Sequence, residues 1–545
     1  MQPAAPRPTI PSPVATPRWL QVAFVFAVIA FAWLRFSDNT VDNDLWGHVL
    51  YGQRAWNQGQ VRGPEVLSWT ANGFDIVNHE YLAEIVMGGV HRLGGGSGLW
   101  IYMMVMAALT VVIAWRAGRG SSPAEKWTSL ALLAASVNFI AVGFALRPQL
   151  FSTLALVLEL ILLRRIVNGR FWWGLLLPLL IALWGNLHGG VLAGVIVFLV
   201  LAGMESVHAL WPRPWGPGWE ATRPPRRNLA VYGLLFVPVA LALLLNPWGY
   251  GLVQWNISAV LRPRPQIHEW HALALSAAHA PFYIVAAVSA LAWIFSRQPK
   301  KAWEAATLLL LAAMGVMHQR HVPLFGLANL ILTPRHLADA ARRIAPHCRS
   351  LVAALARPRV QAGAAAALLL GGGVCLAASF GAPREHPFTM EVEKSVYPVA
   401  AVEFIQAHRL FGKTITFFDW GQENLWALPH NPVSFDGRFD TGYPPAISAA
   451  HWDFYGGKAM GPAVRWSEAE LALLPTGSGG AGLLMQAGWR SVYRDPLASV
   501  LVPPSGRHAA FMAGEAPLQR GREALRGREP FPDAPALLAT PGAPR

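Results

Sequence analysis

Long apolar runs alternate with short polar connections along the first 380 residues of the chain. A helix needs about 20 predominantly apolar residues to cross a bilayer. Eleven runs are candidates for such spans: 19–37, 98–115, 127–145, 149–163, 171–186, 190–206, 229–245, 281–296, 302–317, 322–333 and 361–380. The segment 81–95 is apolar but short, and Glu84, His91 and Arg92 interrupt it, which favours an interfacial or re-entrant helix. The pattern predicts a mainly α, polytopic integral membrane protein with about eleven transmembrane helices.

The pattern changes after residue 380. An amphipathic helix is predicted over 398–409, strands over 413–418 and 432–436, and a hairpin over 489–502. These elements predict a small α/β domain at 381–514, after a membrane domain at 19–380 whose first loop covers 38–97. We expect the Pro-rich leader at 1–18 to precede an uncleaved signal anchor. The Pro-, Ala- and Arg-rich tail at 515–545 is predicted to be disordered.

The distribution of charged residues predicts the orientation of the chain in the membrane. Only 14% of the 545 residues are charged and 54% are hydrophobic, whereas about 25% of the residues of an average soluble domain are charged. Segments on one side of the predicted spans carry 21 basic residues, and those on the other side before the last span carry seven. The positive-inside rule therefore places the N-terminus in the cytoplasm, and the 38–97 loop and C-terminal domain on the extracytoplasmic side of the membrane. It also explains the net charge of +14 without a nucleic-acid partner.

Ionisable and amide side chains gather at the predicted extracytoplasmic ends of the spans, whereas the cytoplasmic connections carry mainly arginine, lysine, proline and small residues. Such groups are costly near hydrocarbon, and they are the types that bind phosphate, metal or hydroxyl groups. We therefore expect a polar cavity on the extracytoplasmic side. Its candidate residues are Asp42, Asp44, His48, His79, Glu80, Arg147, Asn186, His188, His268, Glu269, His318, Arg320 and His321.

Structural interpretations of these groups stay open. Arg147 is compatible with an arginine that extends to the membrane interface. His79 and Glu80 are compatible with a helix cap, and 436–438 (Asp-Gly-Arg) with a turn in the outer domain. The two cysteines, Cys348 and Cys375, fall in a basic loop and an apolar run, which predicts neither a structural disulfide nor a metal site.

Several motifs occur in an order that resembles a bacterial family of polytopic membrane proteins, whose architecture is similar to the GT-C superfamily of integral-membrane glycosyltransferases. The motifs are Asp-Asn-Asp-Leu-Trp-Gly-His at 42–48, His-Glu-Tyr-Leu at 79–82, Arg-Pro-Gln at 147–149, Trp-Gly-Asn-Leu-His-Gly-Gly at 184–190, Asn-Pro-Trp-Gly at 246–249, His-Glu-Trp at 268–270 and Phe-Asp-Gly-Arg at 435–438. The resemblance implies a sugar donor carried on a polyprenyl phosphate or diphosphate. It also implies an acidic motif in the first extracytoplasmic loop, which activates the acceptor or binds a divalent metal. Here that role would fall to Asp42 or Asp44, although Asp-Asn-Asp replaces the Asp-Glu of several subgroups.

We therefore expect an integral membrane glycosyltransferase that moves a sugar from this donor to a glycan, lipid or protein acceptor of the cell envelope. Such a transfer needs a base near the acceptor hydroxyl and positive charge near the leaving phosphate. Asp44 is the expected base, with Asp42 or Glu80 supporting it. Arg147 and Arg320 are expected to hold the phosphate, and the remaining candidates to bind substrate: His48, His79, Asn186, His188, His268, Glu269, His318 and His321.

Two functions from other classes are alternatives. A flippase or transporter for a lipid-linked glycan or solute predicts polar residues at mid-bilayer, where the spans offer only Asn138 and Glu159. A non-catalytic scaffold for envelope assembly would need no convergence of Asp44, Arg147 and Arg320. A polysaccharide polymerase or ligase cannot be separated from the glycosyltransferase by sequence.

Overall fold

A computed structural model describes residues 16–59, 61–211, 218–219, 224–381, 384–512 and 518–533. Most of the predicted leader and part of the predicted tail, 515–517 and 534–545, lie outside these residues. In the described part before residue 381 the helices are α1 (Arg18–Phe36), α2 (Leu45–Gln58), α3 (Tyr81–Gly118), α4 (Pro123–Ala141), α5 (Gln149–Val167), α6 (Leu176–Leu187), α7 (Val191–Leu210), α8 (Arg226–Ala242), α9 (Tyr250–Leu261), α10 (Ala280–Phe295), α11 (Ala302–Met317), α12 (Val322–Leu332), α13 (Pro334–Ile344), α14 (Arg349–Leu355) and α15 (Pro358–Phe380).

Helices occupy all eleven positions predicted as spans. By length and apolar composition, five helices of the described residues could cross a membrane: Arg18–Phe36, Tyr81–Gly118, Pro123–Phe144, Val191–Leu210 and Pro358–Phe380. Of the other described helices, α5 has 19 residues but contains Glu159, Arg164 and Arg165, and the rest are shorter. Helix α12 has 11 residues, about 16 Å at 1.5 Å per residue, so it cannot cross a hydrocarbon core of about 30 Å alone. All its residues are buried, which explains its uniform apolarity as that of a core helix.

The outer faces of the bundle are apolar. Leu234, Leu309 and Leu370, on three different helices, are 74%, 71% and 71% exposed. Helix α1 packs along α15, so the first and last spans are neighbours. Large exposed apolar surface of this kind is expected where lipid replaces water as the solvent. The chain is thus a mainly α, polytopic membrane protein.

The first loop contains a helix that the sequence analysis missed. Helix α2 packs on the first half of α3 with backbone contact at Gly52, where an added Cβ would lie 1.8 Å from the carbonyl oxygen of Glu84. Only glycine permits this approach, which brings the side chains of α2 close to those at the start of α3. The predicted short helix at 81–95 is continuous with the following span in α3 and is broken at Gly95, whose φ is 55°.

The C-terminal region is a small α/β domain. Its helices are α16 (Val399–Ala407), α17 (Gly421–Ala427), α18 (Phe439–Gly442), α19 (Pro445–Tyr455) and α20 (Gly479–Gln486), and the strands are β1 (Glu391–Glu393), β2 (Thr414–Thr416), β3 (Leu471–Pro475), β4 (Arg490–Arg494), β5 (Ala498–Val502), β6 (Leu518–Gln519) and β7 (Arg528–Pro530). Five strands form a mixed sheet in the order β2-β3-β5-β4-β6. Strands β4 and β5 are the predicted hairpin, since they pair antiparallel.

Two predictions in this region are wrong. The segment 432–436 is not a strand of the sheet, because Val433 makes only isolated bridges to Ser68 and Thr414. The tail is not disordered over 518–533: β7 pairs antiparallel with β1, and Phe531 is buried with its ring centroid 4.6 Å from that of Trp46. Contacts with residues far away in sequence order this segment, and its composition does not encode them.

The first loop and the C-terminal domain are joined by backbone hydrogen bonds. The amide of Glu391 donates to the carbonyl of Asn39 at 2.7 Å, and the amide of Val41 donates to the carbonyl of Glu391 at 2.9 Å. Further along, the amide of Trp69 donates to the carbonyl of Val433 at 3.1 Å. The loop that carries Asp42 and Asp44 is therefore held between the helical bundle and the C-terminal domain.

Candidate active site

A cavity of about 1470 Å³ lies between the helical bundle and the C-terminal domain. Eleven of the thirteen side chains predicted from the sequence line it: Asp44, His48, His79, Glu80, Arg147, His188, His268, Glu269, His318, Arg320 and His321. The C-terminal domain contributes Phe418, Asp419, Gly437, Phe439 and Trp452 to the wall. Residues separated by more than 250 positions thus share one site.

Arg147 is surrounded by carboxylates. Its guanidinium donates to both oxygens of Asp42, at 2.5 and 2.7 Å, and it lies 3.3 Å from Asp44 and 3.2 Å from Glu269. Burial raises the pKa of Asp42, but the charge and hydrogen bonds of Arg147 outweigh it and leave this pKa below its ordinary value. Asp42 does not line the cavity, and its two oxygens are already occupied. It therefore orients Arg147.

Asp44 is the acid that faces the cavity. It directly precedes α2, and its side chain is 29% exposed. Burial and the neighbouring charge of Asp42 raise its pKa above the ordinary value, against the opposing effect of Arg147. The C-terminal domain approaches closely here, because a Cβ added to Gly437 would lie 2.6 Å from Oδ1 of Asp44. A carboxylate with a raised pKa at a cavity wall is suited to take up a proton.

A second ionisable cluster joins α2 to the start of α3. Nδ1 of His48 lies 3.2 Å from the carboxylate of Glu84, whose other oxygen accepts a hydrogen bond from Asn78 at 2.6 Å. Burial lowers the pKa of His48, but the hydrogen bond to Glu84 and the charges of Glu80, Glu84 and Asp44 raise it to about 9. Burial raises the pKa of Glu80 to about 7, against the charge of His48. His48 is thus a cation at neutral pH, and Glu80 titrates there.

Within the described residues, one group of side chains could hold a metal ion. The ligand atoms of His48, Glu80 and Glu84 lie within 4.8 Å of one another. Asp42 and Asp44, the predicted ligands of any metal, are not part of this group. Both of these carboxylates are instead paired with the guanidinium of Arg147.

His188 is a neutral imidazole in this site. The backbone amide of Gly190 donates to its Nδ1 at 3.1 Å, and Ser152 Oγ lies 2.7 Å from the same atom. Ser152 itself accepts a hydrogen bond from the indole of Trp184 at 2.6 Å, so its hydroxyl donates to His188. The Nε2–H of His188 therefore faces Glu80, at 3.5 Å. Burial and the charge of Arg320 lower the pKa of His188 to about 3.

Arg320 provides positive charge beside Arg147, since one carboxylate, that of Glu269, pairs with both arginines. It lies 3.2 Å from Glu269 and 4.7 Å from the ring centroid of Trp270. His318 contacts the carbonyl of Trp270 at 2.7 Å, and burial with the charge of Arg320 lowers the pKa of His321 to about 4. Whereas Arg147 has three carboxylates around it, the only ion pair of Arg320 found within the described residues is the one with Glu269.

The remaining predicted residues differ in position. His79 stacks on Trp255 at 4.1 Å and lies 3.5 Å from Glu80. His268 is exposed at the cavity margin. Asn186 does not line the cavity: it accepts a hydrogen bond from Tyr81 at 2.5 Å and donates to the carbonyl of Leu245 at 2.7 Å. Its polar atoms join neighbouring segments of the chain, and its assignment as a substrate-binding residue stays a prediction.

Sequence analysis missed several charged residues of the cavity. Glu84 was treated only as an interruption of an apolar segment, although its spacing of four from Glu80 indicates a shared helix face. Arg264 and Asp440 form a buried pair at 2.6 Å, and Arg438 contacts Asp436 at 2.5 Å and also pairs with Glu65. These pairs join the bundle or the first loop to the C-terminal domain, and no local pattern predicts them.

Fold and site together define a class: a polytopic helical membrane protein whose ionisable cavity is completed by a C-terminal α/β domain. No protein-family model and no curated protein matches the sequence.

Two solved structures are similar to the chain. One is the crystal structure of ArnT from Cupriavidus metallidurans bound to undecaprenyl phosphate, with a TM-score of 0.47 and 13% identity over 89% of this chain and 97% of that chain. The other is the crystal structure of the Archaeoglobus fulgidus oligosaccharyltransferase tethered with an acceptor peptide, with a TM-score of 0.47 and 11% identity over 84% of this chain and 69% of that chain.

Proposed function

We propose that this protein is a membrane glycosyltransferase, which moves a sugar from a polyprenyl-phosphate or polyprenyl-diphosphate donor to an acceptor hydroxyl on the extracytoplasmic face of a bacterial inner membrane. One observation carries the proposal. Asp44, a carboxylate that faces the cavity, and the guanidinium of Arg320 share a single cavity at one end of a lipid-embedded helical bundle. Acid–base chemistry on an acceptor and charge stabilisation of a leaving phosphate need this combination.

The donor phosphate is assigned to Arg320. A guanidinium paired with one carboxylate keeps donors for a phosphate, which it binds through charge-assisted hydrogen bonds. His318 and His321 adjoin Arg320; Nδ1 of His318 already donates to the carbonyl of Trp270, so these side chains would shape the wall beside the phosphate. Arg147 was expected to share this role, but its three carboxylate neighbours favour a positioning role for it. The apolar outer faces of the helices would let the prenyl chain lie in the bilayer.

In the transfer step the bond between the anomeric carbon and the phosphate oxygen breaks, and a bond from the acceptor oxygen to that carbon forms. Asp44 takes the hydroxyl proton, and the electron pair of the broken bond stays on the phosphate that Arg320 holds. Asp42 fixes Arg147, which in turn holds Asp44 in place. A divalent cation would be held by Glu80, Glu84 and the deprotonated imidazole of His48 and would supply additional positive charge to the site.

Two substitutions distinguish the role of Asp44 as the base from that of Arg320 in binding the phosphate. Asp44→Asn should slow transfer about 10²–10⁴-fold while the purified protein keeps its bound lipid-linked sugar. Arg320→Ala should lose that lipid, because removal of a hydrogen bond to a charged group weakens binding about 10- to 100-fold. Mass spectrometry of lipids that co-purify with the protein measures both. Asp75→Asn and Arg92→Ala, which lie outside the cavity, are the matched controls. Full transfer activity in Asp44→Asn, or unchanged lipid content in Arg320→Ala, would contradict these assignments.

A further inference from the structure

The C-terminal wall of the cavity contains a strained aromatic residue. Phe439 has a φ of 39°, in the left-handed region that residues with a bulky side chain rarely adopt. Such a conformation costs about 1–3 kcal/mol and persists only where the surrounding structure enforces it. Strained residues of this kind cluster at ligand-binding sites, so the contacts of Phe439 indicate what the strain positions.

Ion pairs on both sides hold Phe439 in place. The preceding residue, Arg438, is 8% exposed and contacts Asp436 at 2.5 Å. The following residue, Asp440, is 8% exposed and contacts Arg264 at 2.6 Å. Neither neighbour can move without separating a buried ion pair, which is strongly unfavourable. The backbone at Phe439 is therefore fixed from both directions.

The strain places the ring of Phe439 in an aromatic wall. Its centroid lies 6.1 Å from Phe418 and 6.1 Å from Trp452, and those two rings are 5.0 Å apart. All three side chains are half-buried and line the cavity. We call Phe418, Phe439 and Trp452 the aromatic wall. Phe439 lies two residues from Gly437 in sequence, and a Cβ added to Gly437 would lie 2.6 Å from Oδ1 of Asp44.

Polar acceptors lie beside this wall. Asp419 directly follows Phe418 and lines the cavity, as do Asn43 and Gln422. A pyranose ring has an apolar C–H face and a rim of hydroxyl groups. The face packs on aromatic rings, and the hydroxyls donate to carboxylate and amide oxygens. An aromatic wall with a carboxylate and two amides at its edge therefore matches a carbohydrate.

We infer that the aromatic wall, together with Asp419, is an acceptor subsite that binds a carbohydrate ring and presents its hydroxyl to Asp44. This inference rests on the proposed glycosyl transfer, for which it names the class of acceptor. A peptide acceptor would also place apolar groups on aromatic rings, but it would offer fewer hydroxyls to the carboxylate of Asp419.

The test uses the full-length protein in a detergent without a sugar headgroup. Binding of methyl hexosides and methyl hexosaminides is followed by saturation-transfer NMR, and an aromatic tripeptide serves as the alternative probe. Trp452→Leu and Phe439→Gly should each weaken glycoside binding about tenfold or more. Phe411→Leu, in the same domain but outside the cavity, should leave it unchanged. Phe439→Gly also removes the backbone strain, so its unfolding temperature should stay within about 2 °C of wild type.

Bound lipid-linked sugar is measured on the same samples. Variants that keep the donor lipid but lose glycoside binding support the acceptor subsite. Glycoside binding that is unchanged in Trp452→Leu and Phe439→Gly would overturn the subsite and leave the proposed transferase intact. Binding of the tripeptide in place of glycosides would overturn the carbohydrate class. A wild-type protein that carries no lipid-linked sugar would count against the proposed function, whatever the glycosides do.

Discussion

Replacement of Gly437 with alanine tests how closely the C-terminal domain positions Asp44. The backbone of Gly437 lies outside the left-handed region, so alanine is compatible with its conformation. Its new Cβ would lie 2.6 Å from Oδ1 of Asp44 and 3.0 Å from Nε2 of Gln422. Both neighbours are the ends of side chains, which can shift without moving the backbone.

The size of the effect follows from the geometry. An ordinary contact begins at 3.4 Å, so the carboxylate of Asp44 must retreat by about 0.8 Å. A misplacement of about 1 Å in an active site can lower the rate about 10²-fold. We therefore expect Gly437→Ala to reduce transfer about 10- to 100-fold. The loss in free energy of unfolding should stay below about 1 kcal/mol, because only two side-chain ends move.

The assay needs a donor that the protein itself consumes. Lipid extract from a strain that lacks this protein should contain that donor, and purified variants in detergent can be scored for its disappearance. Thermal unfolding of the same samples reports stability. Gly482→Ala, in α20 with open space around the added methyl group, is the control and should be fully active. Full activity of Gly437→Ala would refute the claim that the position of Asp44 limits the reaction.

Two further predictions concern stability. Arg438→Met should cost about 3–5 kcal/mol in the free energy of unfolding, because it leaves two fully buried carboxylates without their cation; Lys458→Met, at an exposed ion pair, should cost close to zero. Burial lowers the pKa of His451 to about 4, below its ordinary value of 6.5. The neutral side chain therefore contributes stability that is fully present above pH 6.5 and is lost as the pH falls through 4. Thermal unfolding between pH 7 and 4 should show a loss of about 3 kcal/mol in wild type that is smaller in His451→Gln, and an equal loss in both proteins would contradict the assignment.

The sequence was sufficient to predict that distant residues share a site. Asp44 and Arg147 lie 103 positions apart. The positive-inside rule predicts that both lie on the same side of the membrane, because it uses only the number of basic residues in each loop. It could not predict which of the two acids, Asp42 or Asp44, faces the cavity. Asp42 and Asp44 are two residues apart in the same loop, and no local sequence feature distinguishes them. In the structure, Arg147 donates hydrogen bonds to both oxygens of Asp42.

Helix α2 and strand β7 were not predicted, each for a physical reason. Helix α2 carries large apolar residues at positions 45, 46, 49 and 50, a helical period that its many polar residues obscured. Strand β7 has three residues, too few for any period. Its order depends on pairing with β1 more than 130 positions away, which local composition does not reveal.

The profile of lipid-linked sugars in cells tests the central claim most directly. We predict that envelopes from a deletion strain accumulate one polyprenyl-linked sugar. A plasmid copy of the wild-type protein should remove it, and Asp44→Asn should not, although the variant is present in the membrane in equal amount. An unchanged lipid profile in the deletion strain, or full restoration by Asp44→Asn, would contradict glycosyl transfer with Asp44 as the base.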